Sequence, residues 1–206
     1  FDWEDIALAD GRLYIAETGN NGNARRDLGV YVVNEPNPRA VRAARILTFL
    51  PIRYPDQDLF PARQWHFDSE ALFVSAGKLH FVTKHRPVDE TGPEPGAKLY
   101  RLDTEHTDRE NVLMLVGARD DLVWPTAASV SPDGRRLAAE DVALARGLLA
   151  GRHAQRGLAF AQRFDADAEA AHAARQGGGE DVPGFFEGER GHGWRSFRGR
   201  CGGGRP

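Results

Sequence analysis

Residues 2–18, DWEDIALADGRLYIAET, recur 66 residues further along the chain as residues 68–84, DSEALFVSAGKLHFVTK, and the two stretches align without a gap. The aligned pairs include two acids at the start and the glycine between two apolar runs: Asp2 with Asp68, Glu4 with Glu70, Gly11 with Gly77, Leu13 with Leu79, and Ile15 with Phe81. A third, weaker copy at 126–140, TAASVSPDGRRLAAE, has lost the acids. Internal repeats of this length are typical of propellers, solenoids and other arrays.

The pattern inside each copy favours strands over helices. Two short apolar runs flank a glycine turn, which predicts a β-hairpin. Two more strand-like runs follow each hairpin, GVYVVNE and RILTFLPIRY after the first, and KLYRLDT and NVLMLVGAR after the second. Four antiparallel strands per repeat form the blade of a β-propeller. The sequence therefore predicts an all-β fold over residues 1–140, a partial β-propeller with two four-stranded blades and part of a third.

Residues 141–206 have a different composition. Alanine, arginine, glycine and proline make up more than half of this stretch, and no fourth blade motif is visible in it. Codons made only of G and C encode these four residues, so a frameshift is one explanation. The other is a genuine tail, helical where alanine is frequent and disordered where glycine is. Both explanations predict that the propeller ends near residue 140.

Three motifs carry a resemblance to a known family. The opening DWEDIA, the Gly-Asn-Asn turn at 19–21 and the later Glu-Ala-Leu at 70–72 resemble an uncharacterised bacterial family of secreted β-propellers. More distantly, the chain is similar to propellers with esterase-like or phytase-like activity. The resemblance implies a propeller fold and a secreted or periplasmic location.

Acidic residues at the starts of the first two repeats are candidate metal ligands: Glu4, Asp5, Asp68 and Glu70. Equivalent positions of successive blades lie next to each other around a propeller axis, so these carboxylates are expected to converge. Several carboxylates supply the six to eight oxygen ligands that Ca²⁺ prefers. A structural interpretation is also open, in which the acids accept hydrogen bonds from backbone N–H groups and connect neighbouring blades.

A second set of candidates lies where the second strand of each hairpin ends: Glu17, Asn20, Asn21, Lys84 and His85. Loops at one rim of a propeller gather groups from different blades and commonly bind ligands. The first blade would contribute a carboxylate and amides, and the second a basic rim. The alternatives are that the asparagines only form a turn and that the basic residues lie in a solvated loop.

Composition excludes several classes of function. A net charge of −3 gives no basic field for nucleic acid, and the single Cys201 excludes an intrachain disulfide framework. No apolar run approaches the 18 residues of a membrane span. We therefore expect a protein that binds a small molecule or a protein partner at the propeller rim. The competing hypotheses are a Ca²⁺-dependent hydrolase of phosphate or carboxylic esters and a truncated, non-functional fragment.

Overall fold

The computed structural model describes residues 1–89, 92–141 and 158–163, and all of the regular structure in them is β. No membrane-crossing helix occurs in this part of the chain. The strands, in chain order, are β1 (Trp3–Ala9), β2 (Arg12–Glu17), β3 (Gly29–Asn34), β4 (Ile46–Arg53), β5 (Trp65–Ser75), β6 (Lys78–Arg86), β7 (Pro95–Leu102), β8 (Asn111–Val112), β9 (Met114–Val123), β10 (Pro125–Val130), β11 (Arg136–Asp141) and β12 (Leu158–Arg163). The predicted all-β fold is confirmed.

The strands form three sheets, none of which closes on itself. The first sheet has the order β1-β2-β3-β4-β8, the second β5-β6-β7-β9 and the third β10-β11-β12. Consecutive strands pair antiparallel within each sheet, apart from the addition of β8. The initial strand of each sheet lies beside the initial strand of the next, since β5 contacts both β1 and β10.

The glycine turns predicted from the repeat are present in both long hairpins. Asp10 and Gly11 join β1 to β2 with positive φ angles of 49° and 70°, and Ala76 and Gly77 join β5 to β6 with 48° and 71°. Two consecutive positive φ angles define the type I′ turn, whose twist matches that of the flanking strands. The turns of the two hairpins therefore have the same backbone geometry.

The first sheet has five strands, so the expectation of two four-stranded sheets is wrong for one of them. The run NVLMLVGAR, expected as one strand, divides at Leu113. Its first two residues form β8, which runs parallel to the edge strand β4, and the rest belongs to β9. Asn111 fixes this arrangement because its side-chain amide donates to the carbonyl oxygens of Pro51 at 2.8 Å and His106 at 2.9 Å.

Two apolar layers hold the sheets together. The layer between the first and second sheets contains Val30, Leu72 and Phe81, and the layer between the second and third contains Phe73 and Leu99. The second sheet is consequently covered on both faces, which suits its nearly continuous apolar strands. Burial of this apolar area is the main term that favours the folded state.

Most of the predicted tail, residues 141–206, lies outside the described residues. Its described part, Leu158–Arg163, is the strand β12, which pairs antiparallel with β11. A helix, the conformation that the alanine content favours, does not form at these six residues. Pairing with β11 satisfies backbone N–H and C=O groups that an edge strand leaves open, and this outweighs local propensity.

Candidate functional site

Five carboxylates from three segments come together at the starts of β1 and β5. We call this group the acidic cluster, and its members are Asp2, Glu4, Glu17, Asp68 and Glu70. Residues 2–4 and 68–70 belong to or adjoin the initial strands of neighbouring sheets, and Glu17 ends β2. The structure therefore brings together three of the four candidate metal ligands, Glu4, Asp68 and Glu70, and adds Glu17 from the second set of candidates.

Lys84 is the central cation of the acidic cluster. Its ammonium forms ion pairs with Glu70 and with Asp68 Oδ2, the latter at 3.2 Å, and the side chain is only 2% exposed. The Nζ atom of Lys84 lies 5.2 Å from the centroid of the Trp124 ring. The alternative in which Lys84 lies in a solvated loop is wrong, because β6 places this residue in the interior beside buried carboxylates.

Arg25 supplies the second cation. Its guanidinium donates to Glu17 Oε1 at 2.7 Å and to the carbonyl oxygen of Gly19 at 2.8 Å. Glu17 Oε1 also accepts the backbone N–H of Asp2 at 2.8 Å. The other oxygen, Glu17 Oε2, is buried and has no hydrogen-bond partner. One carboxylate oxygen of the cluster is thus desolvated without compensation, which costs free energy.

Gly19 leaves the space in which two of the carboxylates lie. A Cβ at this position would be 2.2 Å from the carboxyl carbon of Asp2 and 2.3 Å from Oε1 of Glu4. Its backbone N–H donates to the carbonyl oxygen of Asp2 at 3.1 Å. A side chain at position 19 would therefore displace the carboxylates of Asp2 and Glu4 from their places in the cluster.

Asn20 and Asn21 anchor the turn that follows β2. The Asn20 backbone N–H donates to Asp68 Oδ1 at 2.7 Å, and its side-chain amide donates to the carbonyl oxygen of Phe67 at 3.0 Å. Asn21 is exposed, donates to Asp2 Oδ2 at 3.2 Å and accepts from Arg86 at 2.6 Å. Turn formation explains Asn20 fully, whereas Asn21 lies at the solvent edge of the cluster.

The surroundings of Glu4 raise its pKa. Partial burial, followed by the nearby Asp68 and Asp2 carboxylates, raises the pKa of Glu4 from 4.5 to about 7, although Lys84 opposes the shift. A carboxyl group that titrates near neutrality exchanges its proton at physiological pH. Glu4 therefore changes charge in the range where ligand binding is normally measured.

Replacing Glu4 with glutamine is expected to change how stability depends on pH. The raised pKa contributes stability that is fully present below about pH 4.5 and is lost as the pH rises through about 7. Glutamine stays neutral at every pH. Between pH 4.5 and about 7 the free energy of unfolding of the variant should therefore rise relative to that of the wild type by about 1 kcal/mol, after allowance for solvent screening. Urea unfolding across the same pH range measures the difference. Glu35→Gln, at an exposed acid outside the cluster, is the control. A difference in unfolding free energy between Glu4→Gln and the wild type that stays constant with pH would contradict the perturbed pKa.

Asp5 does not belong to the acidic cluster. Its Oδ2 accepts the backbone N–H of Leu72 in β5 at 2.8 Å, and its Oδ1 accepts the N–H of Ile6 at 2.7 Å. Burial raises the pKa of Asp5, and these two hydrogen bonds oppose the rise. The hydrogen bonds of Asp5 to Leu72 and of Asp68 to Asn20 each connect the first sheet to the second, as the structural interpretation of the acids expects.

His85 also lies apart from the cluster. Its ring stacks on that of His66, with centroids 3.6 Å apart and planes 5° apart. Burial, reinforced by His66 and Lys98, lowers the pKa of His85 to about 3, so the ring is neutral at physiological pH. The structure does not bring this predicted ligand-binding residue to Lys84, because adjacent strand residues point to opposite faces.

Two residues near the cluster were missed by sequence reasoning. Asn23 has a φ of +47° and joins the turn to β5 through Phe67, and the alternation of Asn and Gly at 19–23 was the available signal. Trp124, with a φ of +58°, places its ring near both Lys84 and Arg86. Nothing local in the sequence marks Trp124, since its role depends on where β9 ends.

The described residues contain no group of three or more His, Cys, Asp and Glu side chains arranged to hold a metal ion. Comparisons of the chain with protein-family models, with curated proteins and with solved structures gave no match. The resemblance to secreted propellers, and the location that it implies, stay predictions.

Proposed function

We propose that the described sheets are successive blades of a β-propeller, and that the acidic cluster binds the ammonium or guanidinium group of a ligand. Adjacent initial strands support the blade interpretation, since β5 lies between β1 and β10. Initial strands of consecutive blades stand side by side around a propeller axis, where they line the central channel. The acidic cluster would then face this channel near one rim.

The observation that carries the binding proposal is the unbalanced charge of the cluster. In the described part of the chain, the five carboxylates face two cations, Lys84 and Arg25, and Glu17 Oε2 is buried without a hydrogen-bond partner. A desolvated, unpaired carboxylate oxygen is stabilised by a donor brought in by a ligand. Asp2 and Asn21 are accessible at the edge of the cluster, so such a group has a route to it.

An organic cation suits this arrangement better than Ca²⁺. Calcium takes six to eight oxygen ligands, but Lys84 already holds Asp68 and Glu70, and Asp5 is bonded to Leu72. An ammonium or guanidinium group needs only a few acceptors at hydrogen-bond distance. A Ca²⁺-dependent hydrolase would require Asp68 and Glu70 to release Lys84, so the binding function is the better supported of the two.

Titration calorimetry with agmatine, which carries one ammonium and one guanidinium group, tests this proposal. The experiment is made at about pH 8, where Glu4 with its pKa of about 7 is mostly ionised. We expect saturable binding that Glu4→Gln weakens about fivefold, which corresponds to about 1 kcal/mol. Affinity should also fall as the pH is lowered, because protonated Glu4 no longer contributes its charge.

The matched control is Glu35→Gln, which makes the same change of charge at an exposed position outside the cluster. Agmatine binding that responds equally to both variants would contradict a specific site. A parallel titration with CaCl2 distinguishes the hydrolase alternative, for which Ca²⁺ would bind more tightly than agmatine and lose affinity in Glu4→Gln. An absence of heat with both probes, from protein that unfolds cooperatively, would reject a cation site in the cluster.

A further inference from the structure

The first sheet presents an exposed apolar face on the side away from the second sheet. Trp3, Ile6 and Leu8 of β1 are 60%, 53% and 55% exposed. The register pairs Ile6 with Ile15 and Leu8 with Leu13, so the apolar character continues into β2. Trp3 has ring contacts with Phe1 and with Tyr31 of β3. Apolar patches of this kind commonly mark interaction surfaces.

Equivalent positions of the second sheet already form an interface within the chain. The pairs Leu72–Phe81 and Val74–Leu79 occupy the same places relative to the β5–β6 turn as Ile6–Ile15 and Leu8–Leu13 relative to the β1–β2 turn. All four side chains of the second sheet pack against the first sheet: Leu72, Val74, Leu79 and Phe81. The exposed face of the first sheet therefore has the residue pattern of a surface that accepts another sheet of the same kind.

The third sheet carries a face that matches this surface. Ala128 and Val130 pack toward the second sheet, so Ala127 and Ser129 point the other way. The register pairs Ser129 with Ala138 and Ala127 with Glu140, which makes three of the four side chains small. The interface between the first and second sheets also packs small side chains against large ones, since Ala7 and Ala16 of the first sheet share one apolar cluster with Leu72 and Phe81 of the second.

We propose that two copies of this chain associate head to tail, with the outer face of the first sheet of each copy packed on the outer face of the third sheet of the other. The arrangement rests on the blade interpretation given above. The three sheets of the described residues, taken from each copy, give a ring of six, within the four to eight blades that propellers use. A ring closed in this way has two identical contacts between copies and leaves neither outer sheet face uncovered.

Sedimentation velocity of the full chain at several concentrations tests the association. The expected species has twice the 22.7 kDa mass of the monomer. Ile6→Glu with Leu8→Glu should convert it to monomer, because four charges would be buried across the two contacts. Val41→Glu with Val88→Glu, at two exposed apolar residues away from the face, should leave the dimer intact.

Ser129→Arg places a large cation on the opposite face and should also give monomer. This variant does not change the first sheet. It therefore still tests the association if the variant with changes at Ile6 and Leu8 fails to fold. A dimer that resists Ser129→Arg but not the Ile6 and Leu8 changes would overturn the head-to-tail arrangement, since it would pair first sheets with each other. A folded wild type that stays at 22.7 kDa at every concentration would overturn the proposal altogether.

Agmatine titration of the Ile6 and Leu8 variant separates this proposal from the binding function. The acidic cluster and the outer face share the first sheet but no side chain. Loss of the dimer with binding retained would be the expected result. A wild-type protein that binds agmatine but stays monomeric would leave the function standing and reject the association.

Discussion

Replacing Lys84 with methionine is expected to destabilise the protein by about 3 kcal/mol. The ammonium lies between Asp68 and Glu70 with 2% of its side chain exposed, and Asp68 itself is fully buried. Methionine has nearly the same length but no charge, so the two carboxylates would stay desolvated without a counter-ion. Breaking a buried ion pair in this way costs more than the pair contributes when intact, because it leaves an uncompensated charge.

Urea unfolding at neutral pH measures this loss, and Lys78→Met is the matched control. Lys78 begins the same strand, is exposed and donates only to the carbonyl oxygen of Asp103, so its replacement should cost no more than about 0.5 kcal/mol. Adding Asp68→Asn and Glu70→Gln to Lys84→Met should recover most of the stability, because no buried charge is then left unpaired. Equal losses for Lys84→Met and Lys78→Met would show that Lys84 does not neutralise the cluster.

Loss of Lys84 should also move the protonation of Glu4. Lys84 lowers the pKa of that carboxyl against the opposing influence of burial, Asp68 and Asp2. Its removal should therefore shift the titration of Glu4 above about 7, which NMR of the side-chain carboxyl would detect. A purely structural role for Lys84, as a space-filling stem, would leave this titration unchanged.

The sheets were predictable because their signals are local and repeated. Each hairpin carries its turn glycine, Gly11 or Gly77, between apolar runs of period two, and these choices specify strands and register together. The division of NVLMLVGAR at Leu113 was not predictable, since it depends on Asn111 bonding to the distant Pro51. The strand at Leu158–Arg163 likewise follows from pairing with β11, which local propensity does not report.

The acidic cluster was predictable in outline but not in its balance of charge. The repeat offset places Glu4 and Glu70 at equivalent positions, and their convergence follows from neighbouring sheets. The burial of Lys84 depends on the register that places it opposite Asp68 of β5, and the separation of Asp5 from the cluster depends on its hydrogen bond to the distant Leu72. Such long-range placements are properties of the packed sheets. Sequence patterns therefore predict which residues belong to the cluster but not which residues each of them contacts.

Asn23→Ala is expected to cost about 3 kcal/mol through lost hydrogen bonds and backbone strain. The Asn23 side chain is fully buried, accepts the N–H of Phe67 at 2.7 Å and donates to the carbonyl oxygen of Asn20 at 2.8 Å. Alanine would leave the N–H of Phe67 unpaired at a position whose φ is +47°, while the carbonyl oxygen of Asn20 would keep the backbone N–H of residue 23 at 2.7 Å and lose only its second donor. Because the turn from 18 to 28 carries Gly19 and Arg25, the acidic cluster should loosen together with it.

Thermal unfolding and agmatine titration of the same variant check this coupling, and two further variants divide the cost. Asn23→Gly removes the hydrogen bonds but tolerates the positive φ, so the difference between the glycine and alanine variants isolates the backbone strain. Asn21→Ala, at an exposed neighbour in the same turn, should cost about 0.5 kcal/mol and leave the fold intact. If Asn23→Ala lowers stability without weakening agmatine binding, the turn anchors the second sheet but does not position the cluster.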